Sequence, residues 1–270
     1  MKAQILSIGL TAPGLVSFET FNRMMLNNQS PDTSEALEKY SPTFLPANER
    51  RRTTATIKLA LKTAEEALVA FKQAYPEAET KLPVLFVCKD GDTLISARMC
   101  QAVSEEEPMI SPTQFHNSVH NAPAGYWMIG QENLAPASAI SVGEYAIANG
   151  LLEAVLQSQN YGKPVLMVIY DLPLDELMPV DAVQKSQRPF AFSMILDASD
   201  LREKSDYPIL SLSVTQEALH QPLKSNSYTG VPAAEAYTLL QSIALYQSGH
   251  EYSQMSFPLN RNNFIKVTLE

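Results

Sequence analysis

Pro164-Val-Leu-Met-Val-Ile-Tyr-Asp171 is an unbroken apolar run closed by an acid. A strand with one wet face alternates polar and apolar side chains, so a continuous run of this length predicts a strand covered on both faces. Upstream, residues 136 to 141 predict a short strand that enters a helix from Gly143 to Gln157. Val84 to Cys88 is another short buried strand. Ile5 to Leu10 is a further one, closed by the turn residues Thr11-Ala12-Pro13-Gly14.

Helical patterns fill the intervals. Phe18 to Leu26 is a short one, and the polar stretch from Asn27 to Pro46, with three prolines, is loop. From Ala47 a long helix places Ile57, Leu61, Ala64, Leu68 and Phe71 on one face. Thr93 to Val103 is another helix, and Ser111 to Gly130 is expected to begin extended and end helical. Downstream of Asp171, Pro173 to Pro189 reads as a loop with an acidic patch. Elements follow at Phe190 to Leu196 and Ile209 to Val214, then a helix from Ala233 to Tyr246 and an extended segment from Asn263 to Leu269. Alternating strands and helices of this kind predict an α/β layered domain.

At 270 residues the chain is long enough for one large domain or two small ones. Its 45% hydrophobic and 18% charged residues are those of a folded protein. A formal net charge of −9 argues against a general nucleic-acid binder, which needs basic surface. Cys88 and Cys100 lie far in sequence from any Cys/His cluster of metal-ligand spacing, and one pair is a poor disulfide framework at this size. Neither a secretory leader nor a membrane span is expected, so the setting implied is a reduced cytoplasm, with no cofactor and no metal.

Ser111-Pro-Thr-Gln-Phe-His-Asn-Ser-Val-His-Asn-Ala-Pro-Ala-Gly125 carries a more specific signal. It resembles the Ser-Pro-x-x-Phe-x-x-x-x-x-Asn-Ala-Pro-Ala-Gly segment in the N-terminal half of β-ketoacyl synthases. Counting on from Pro136, the family's small-residue strand and nucleophile turn fall on Ala137 to Ala146, which puts Glu144 at the place of the reactive cysteine. The resemblance implies a thiolase-like layered α/β/α domain with a mixed sheet and a second half largely truncated. Residues 1–175 would be the ketosynthase-like half, and residues 176–270 a reduced extension completing the same domain. The family's two catalytic histidines are not matched: His220 and His250 lack the glycine-rich context, and His250 reads as a capping or surface imidazole.

A condensing enzyme needs a thiolate to accept the acyl group, and a helix N-terminus lowers its pKa. A carboxylate suits the same helix dipole but is a poor acyl acceptor. Chain-length factors of type II polyketide synthases are ketosynthase relatives that have lost the cysteine and pair with an intact ketosynthase. Half-length relatives, some from aryl polyene pathways, are similar. The resemblance therefore implies a non-catalytic partner of an active β-ketoacyl synthase that limits chain growth, with an acyl carrier protein as a further partner.

Ser141, Val142, Gly143, Glu144 and Tyr145 are then the candidates for the tunnel end, and Phe115, Asn121, Tyr126 and Trp127 for the subunit contact. Glu144 reads equally as a first-turn acid, and Tyr126 and Trp127 equally as core. Arg50, Arg51 and Arg52 form a basic cluster suited to the phosphate of a carrier arm, or simply a solvated junction paired with Glu49. His116 and His120 have metal-ligand spacing on one helix face but no third ligand. Cys88 and Cys100 read as structural thiols. Two other classes stay open: a thioester hydrolase using Ser141 or Ser118 with one of those histidines, though no G-x-S-x-G elbow is present, and a self-associating module that holds acyl-carrier cargo.

Overall fold

The computed structural model describes residues 1–107, 109–173, 188–201, 205–219, 228, 230–246 and 254–270. His220, His250 and the acidic patch after Pro173 lie outside the described residues. The described strands are β1 (Lys2–Thr11), β2 (Val84–Val87), β3 (Ala137–Ile140), β4 (Val165–Asp171), β5 (Phe190–Asp197), β6 (Ile209–Thr215), β7 (Gln254–Pro258) and β8 (Phe264–Leu269). They form one mixed sheet in the order β3-β2-β4-β5-β1-β6-β8-β7. β2 runs parallel to both β3 and β4, and the remaining neighbours are antiparallel.

The helices are α1 (Phe18–Leu26), α2 (Ala47–Arg52), α3 (Ala55–Ala74), α4 (Thr93–Val103), α5 (Pro112–Asn117), α6 (Ala122–Gly130), α7 (Ala146–Tyr161) and α8 (Tyr237–Tyr246). β4 alternates its side chains between two cores. Val165, Met167 and Ile169 belong to the core that also takes in α1, α7 and α8, while Leu166, Val168 and Tyr170 belong to the core that takes in α3 and α6. The unbroken apolar run thus records a strand with helices on both faces, in an α/β/α arrangement. A register shift in β1 between Ile5 and Ser7 turns Leu6 toward the α3 side and leaves Ile5 and Ile8 on the other.

α3 approaches the sheet closely at Gly9. A Cβ there would stand 2.2 Å from the Thr63 carbonyl oxygen. Ser193 of β5 fastens the same spot by donating its hydroxyl to that carbonyl at 2.6 Å.

Three local expectations need correction. The segment from Ser111 is helical almost at once: Ser111 accepts from the Gln114 N–H at 3.4 Å and Pro112 occupies the first turn, so α5 forms, stops at Asn117 and is followed by α6. The long helix from Ala47 is broken at Thr53-Thr54, where Thr54 caps α3 by accepting from the Ile57 N–H. β7 was not expected; its Met255 and Phe257 are buried in strict alternation before Pro258 ends it.

Candidate functional site

β2, β3 and β4 are parallel, so their C-terminal ends meet on one rim of the sheet, the usual place for a site in such an arrangement. Cys88 and Lys89 follow β2, Ser141 to Glu144 follow β3, and Asp171 ends β4. The hydroxyl of Ser141 donates to the Lys89 carbonyl at 2.7 Å. Gly143 sits at φ +57°, a left-handed conformation that costs glycine little, and opens the single 3-10 turn Gly143–Tyr145 that leads into α7.

That turn aims Glu144 at Lys89, and the two side chains form an ion pair. The hydrogen bond from the ammonium to the carboxylate raises the pKa of Lys89. With the Glu144 side chain 61% exposed, the pair adds at most about 1 kcal/mol of stability and serves mainly to orient the carboxylate.

Asp171 holds the rim together. It is buried, and its carboxylate accepts the Lys89 N–H at 2.8 Å and the Ala233 N–H at 2.9 Å. Burial pushes its pKa up to about 7 against those two hydrogen bonds. The second bond draws in the 3-10 turn Pro232–Ala236, which carries Glu235. The low-polarity surroundings, and then the Glu144 charge, raise the pKa of Glu235, although the residue still reaches solvent.

The fold makes one pairing the sequence concealed. Cys88 and His120 are 32 residues apart, yet the thiol sulfur stands 3.3 Å from Nδ1 of His120. Burial pushes the Cys88 pKa up to about 11, so at neutral pH the group is a thiol and not a nucleophile. His116 and His120 do not share a helix face as their spacing suggested, because α5 ends between them; the His116 ring instead packs edge-on to Tyr126. Among the described residues no three His, Cys, Asp or Glu side chains are grouped to hold a metal ion.

The other candidates are scattered. Tyr126 and Trp127 are each 2% exposed and belong to the core beneath α3, so their rings are committed to this chain's own packing. Phe115 lies on the surface at 61% exposure, near exposed Met109, Ile110 and Val119, and Asn121 is exposed as well. Arg50, Arg51 and Arg52 end α2, with Arg51 donating to Asn48 and Arg52 paired to Glu49 at 3.3 Å. Sequence reasoning missed Lys89 and Glu235. The charged turn Lys89-Asp90-Gly91-Asp92 after an apolar strand was the available signal for Lys89; Glu235 had none.

The family model described as "Beta-ketoacyl synthase, N-terminal domain" matches residues 26–261. The chain belongs to this family. The match continues past residue 175. Among solved structures of similar fold is a ketosynthase in complex with its chain length factor from Xenorhabdus doucetiae, at 21% identity and TM-score 0.68, covering 99% of each chain. The ishigamide ketosynthase/chain length factor aligns at 10% identity and TM-score 0.71, over 100% of this chain and 99% of that one. A type II polyketide synthase acyl-carrier protein in complex with its ketosynthase bound to the hexaketide aligns at 10% and TM-score 0.75, with the same coverage. No curated protein matches. These likenesses show that the chain has the thiolase-like α/β fold of ketosynthase-type proteins. Among the described residues no helix is long and apolar enough to cross a membrane.

Proposed function

We propose that this chain is a non-catalytic, chain-length-factor-like subunit that pairs with an active β-ketoacyl synthase in the cytoplasm and shapes that partner's acyl tunnel. The pathway would be of polyketide, aryl polyene or fatty-acid type. One observation carries the reading. At the head of α7, where the family resemblance places the nucleophile, stands a carboxylate paired to Lys89 and lying directly beyond the edge strand β3.

Among the described residues β3 has a strand partner on one side only, and an open strand edge is a ready pairing surface. Exposed Met109, Ile110, Phe115 and Val119 supply apolar surface that a partner would cover. Similar folds occur in structures of a ketosynthase and a chain length factor together. In this reading Ser141 to Tyr145 stand at the tunnel end, Phe115 and Asn121 lie in the contact, and Tyr126 and Trp127 support it from the core. The arginines 50 to 52 at the end of α2 would meet an acyl carrier protein. The hydrolase reading has less support, because the hydroxyls of Ser141 and Ser118 donate to the backbone carbonyls of Lys89 and Phe115.

Co-expression with an intact ketosynthase encoded beside this chain, followed by size-exclusion chromatography, tests the proposal. One-to-one co-elution is expected, and Glu144→Gln in the purified complex is expected to shift the length of the product. A homodimer that ignores the ketosynthase would overturn the reading in favour of a self-associating module.

A further inference from the structure

A pocket of about 10 Å³ lies at the N-terminus of α4, lined by Thr56, Gly91, Asp92, Asn117, His120 and Tyr170 among others. A single internal water needs roughly that space, 10–15 Å³, and two to four polar partners. Asp92 is the unbalanced member of the lining. It is 8% exposed, and its Oδ1 caps α4 by accepting the Ile95 N–H at 3.1 Å. Its Oδ2 is shut off from solvent and has no hydrogen-bond partner among the described residues. A buried acceptor without a donor is costly, and native folds rarely leave one.

The surroundings narrow what can meet that oxygen. An anion would face the Asp92 carboxylate at close range. A cation would sit against the positive end of the α4 dipole, and among the described residues no three His, Cys, Asp or Glu side chains are grouped to hold a metal ion. An apolar group would strip the carboxylate of water and return no hydrogen bond. A neutral molecule with one heavy atom and hydrogens to donate fits. Asn117 Oδ1, which accepts from the Tyr126 hydroxyl at 3.0 Å, keeps a lone pair for a second hydrogen. Tyr170 is buried, which holds its hydroxyl protonated, and that hydroxyl is hydrogen-bonded to the Cys88 thiol. His120 forms the outer wall: it is exposed, and its ring stands 3.3 Å from where a Cβ on Gly91 would lie.

We propose that this pocket binds one internal water, which donates to Oδ2 of Asp92 and joins the head of α4 to Tyr170 of β4 behind the His120 wall. Lys89 lies between β2 and Asp92, so the same water steadies the turn from which Lys89 reaches Glu144. The site is built wholly from this chain and does not depend on pairing with a ketosynthase.

Two measurements on the full chain test the proposal. A crystal structure at about 1.8 Å or better is expected to show a density peak about 2.6–3.0 Å from Oδ2 of Asp92 and from a second polar atom of the pocket. In solution, oxygen-17 magnetic relaxation dispersion counts the waters held for longer than the protein takes to tumble. His120→Ala, which removes the outer wall at an exposed position, is expected to lower that count by one.

No peak at that place, a protein donor bonded directly to Oδ2, or contacts of about 2.0–2.4 Å that mark a metal ion would each overturn the proposal. So would a count that His120→Ala leaves unchanged. The crystallographic result needs no variant, so it decides the matter even if His120→Ala fails to fold by circular dichroism. None of these results bears on whether the chain co-elutes with a ketosynthase, so the two claims fail separately.

Discussion

Cys88 shows how burial decides what a residue does. A sulfur 3.3 Å from an imidazole has the geometry of an activated nucleophile, but a pKa near 11 leaves almost no thiolate at neutral pH. Cys100 is exposed on α4 and has no such constraint. Treatment with iodoacetamide at about pH 7.5 should therefore alkylate Cys100 first, with buried Cys88 labelled only once the protein is denatured. Peptide mass spectrometry reads this directly. Rapid labelling of Cys88 would reopen the question of a nucleophile in this chain. At this scale the place of Glu144 just ahead of a helix was legible, because a helix start can be counted from a motif. Lys89 and Glu235 were not, because their neighbours are 55 and 91 residues away in sequence.

β3 is the element on which pairing turns. The Val84 N–H bonds the Pro136 carbonyl and the Cys88 N–H bonds the Ile140 carbonyl, so residues 136 and 140 face β2. Peptide groups alternate sides along a strand, which leaves those of Ala137 and Ala139 on the open side. Ala139→Pro removes an outward N–H without touching the bonds to β2, and proline is tolerated on an edge. The variant is expected to fold normally by circular dichroism and to lose co-elution with the ketosynthase; full retention would place the contact elsewhere. Most elements could be read from the sequence, since β2, β4, α3 and α7 have a single period and clear ends. α5 was misread although Ser111-Pro112 is a capping signature, because a proline in the first turn reads as extended chain when the cap is overlooked. β7 was missed because its alternation is only five residues long and ends in proline.

Across the whole molecule the burial of acids sets a pH response. Asp171 has an ordinary pKa of 3.8, raised to about 7 in the fold, and Glu66 moves from 4.5 to about 7 by burial while accepting the N–H groups of Leu10 and Phe18. A raised acid favours the folded state at low pH, and that contribution disappears as pH climbs from about 4 to 7. A tenfold change in proton affinity between the folded and unfolded chain corresponds to about 1.4 kcal/mol. Urea denaturation should thus show lower stability at pH 8 than at pH 5. The drop should be smaller in Asp171→Asn, and an identical drop in both proteins would refute the assignment.

The arrangement of β1 has a consequence in time. This strand leaves the ribosome well before its two neighbours, β5 and β6, whose residues begin at 190 and 209. It must wait, apolar and without those neighbours, while the residues between them are translated. β2, β3 and β4 meanwhile find one another within residues 84 to 171. Synthesis at about 5–20 residues per second makes that wait roughly ten to forty seconds. Nascent copies of this protein should accordingly depend on holding chaperones until β5 and β6 are made.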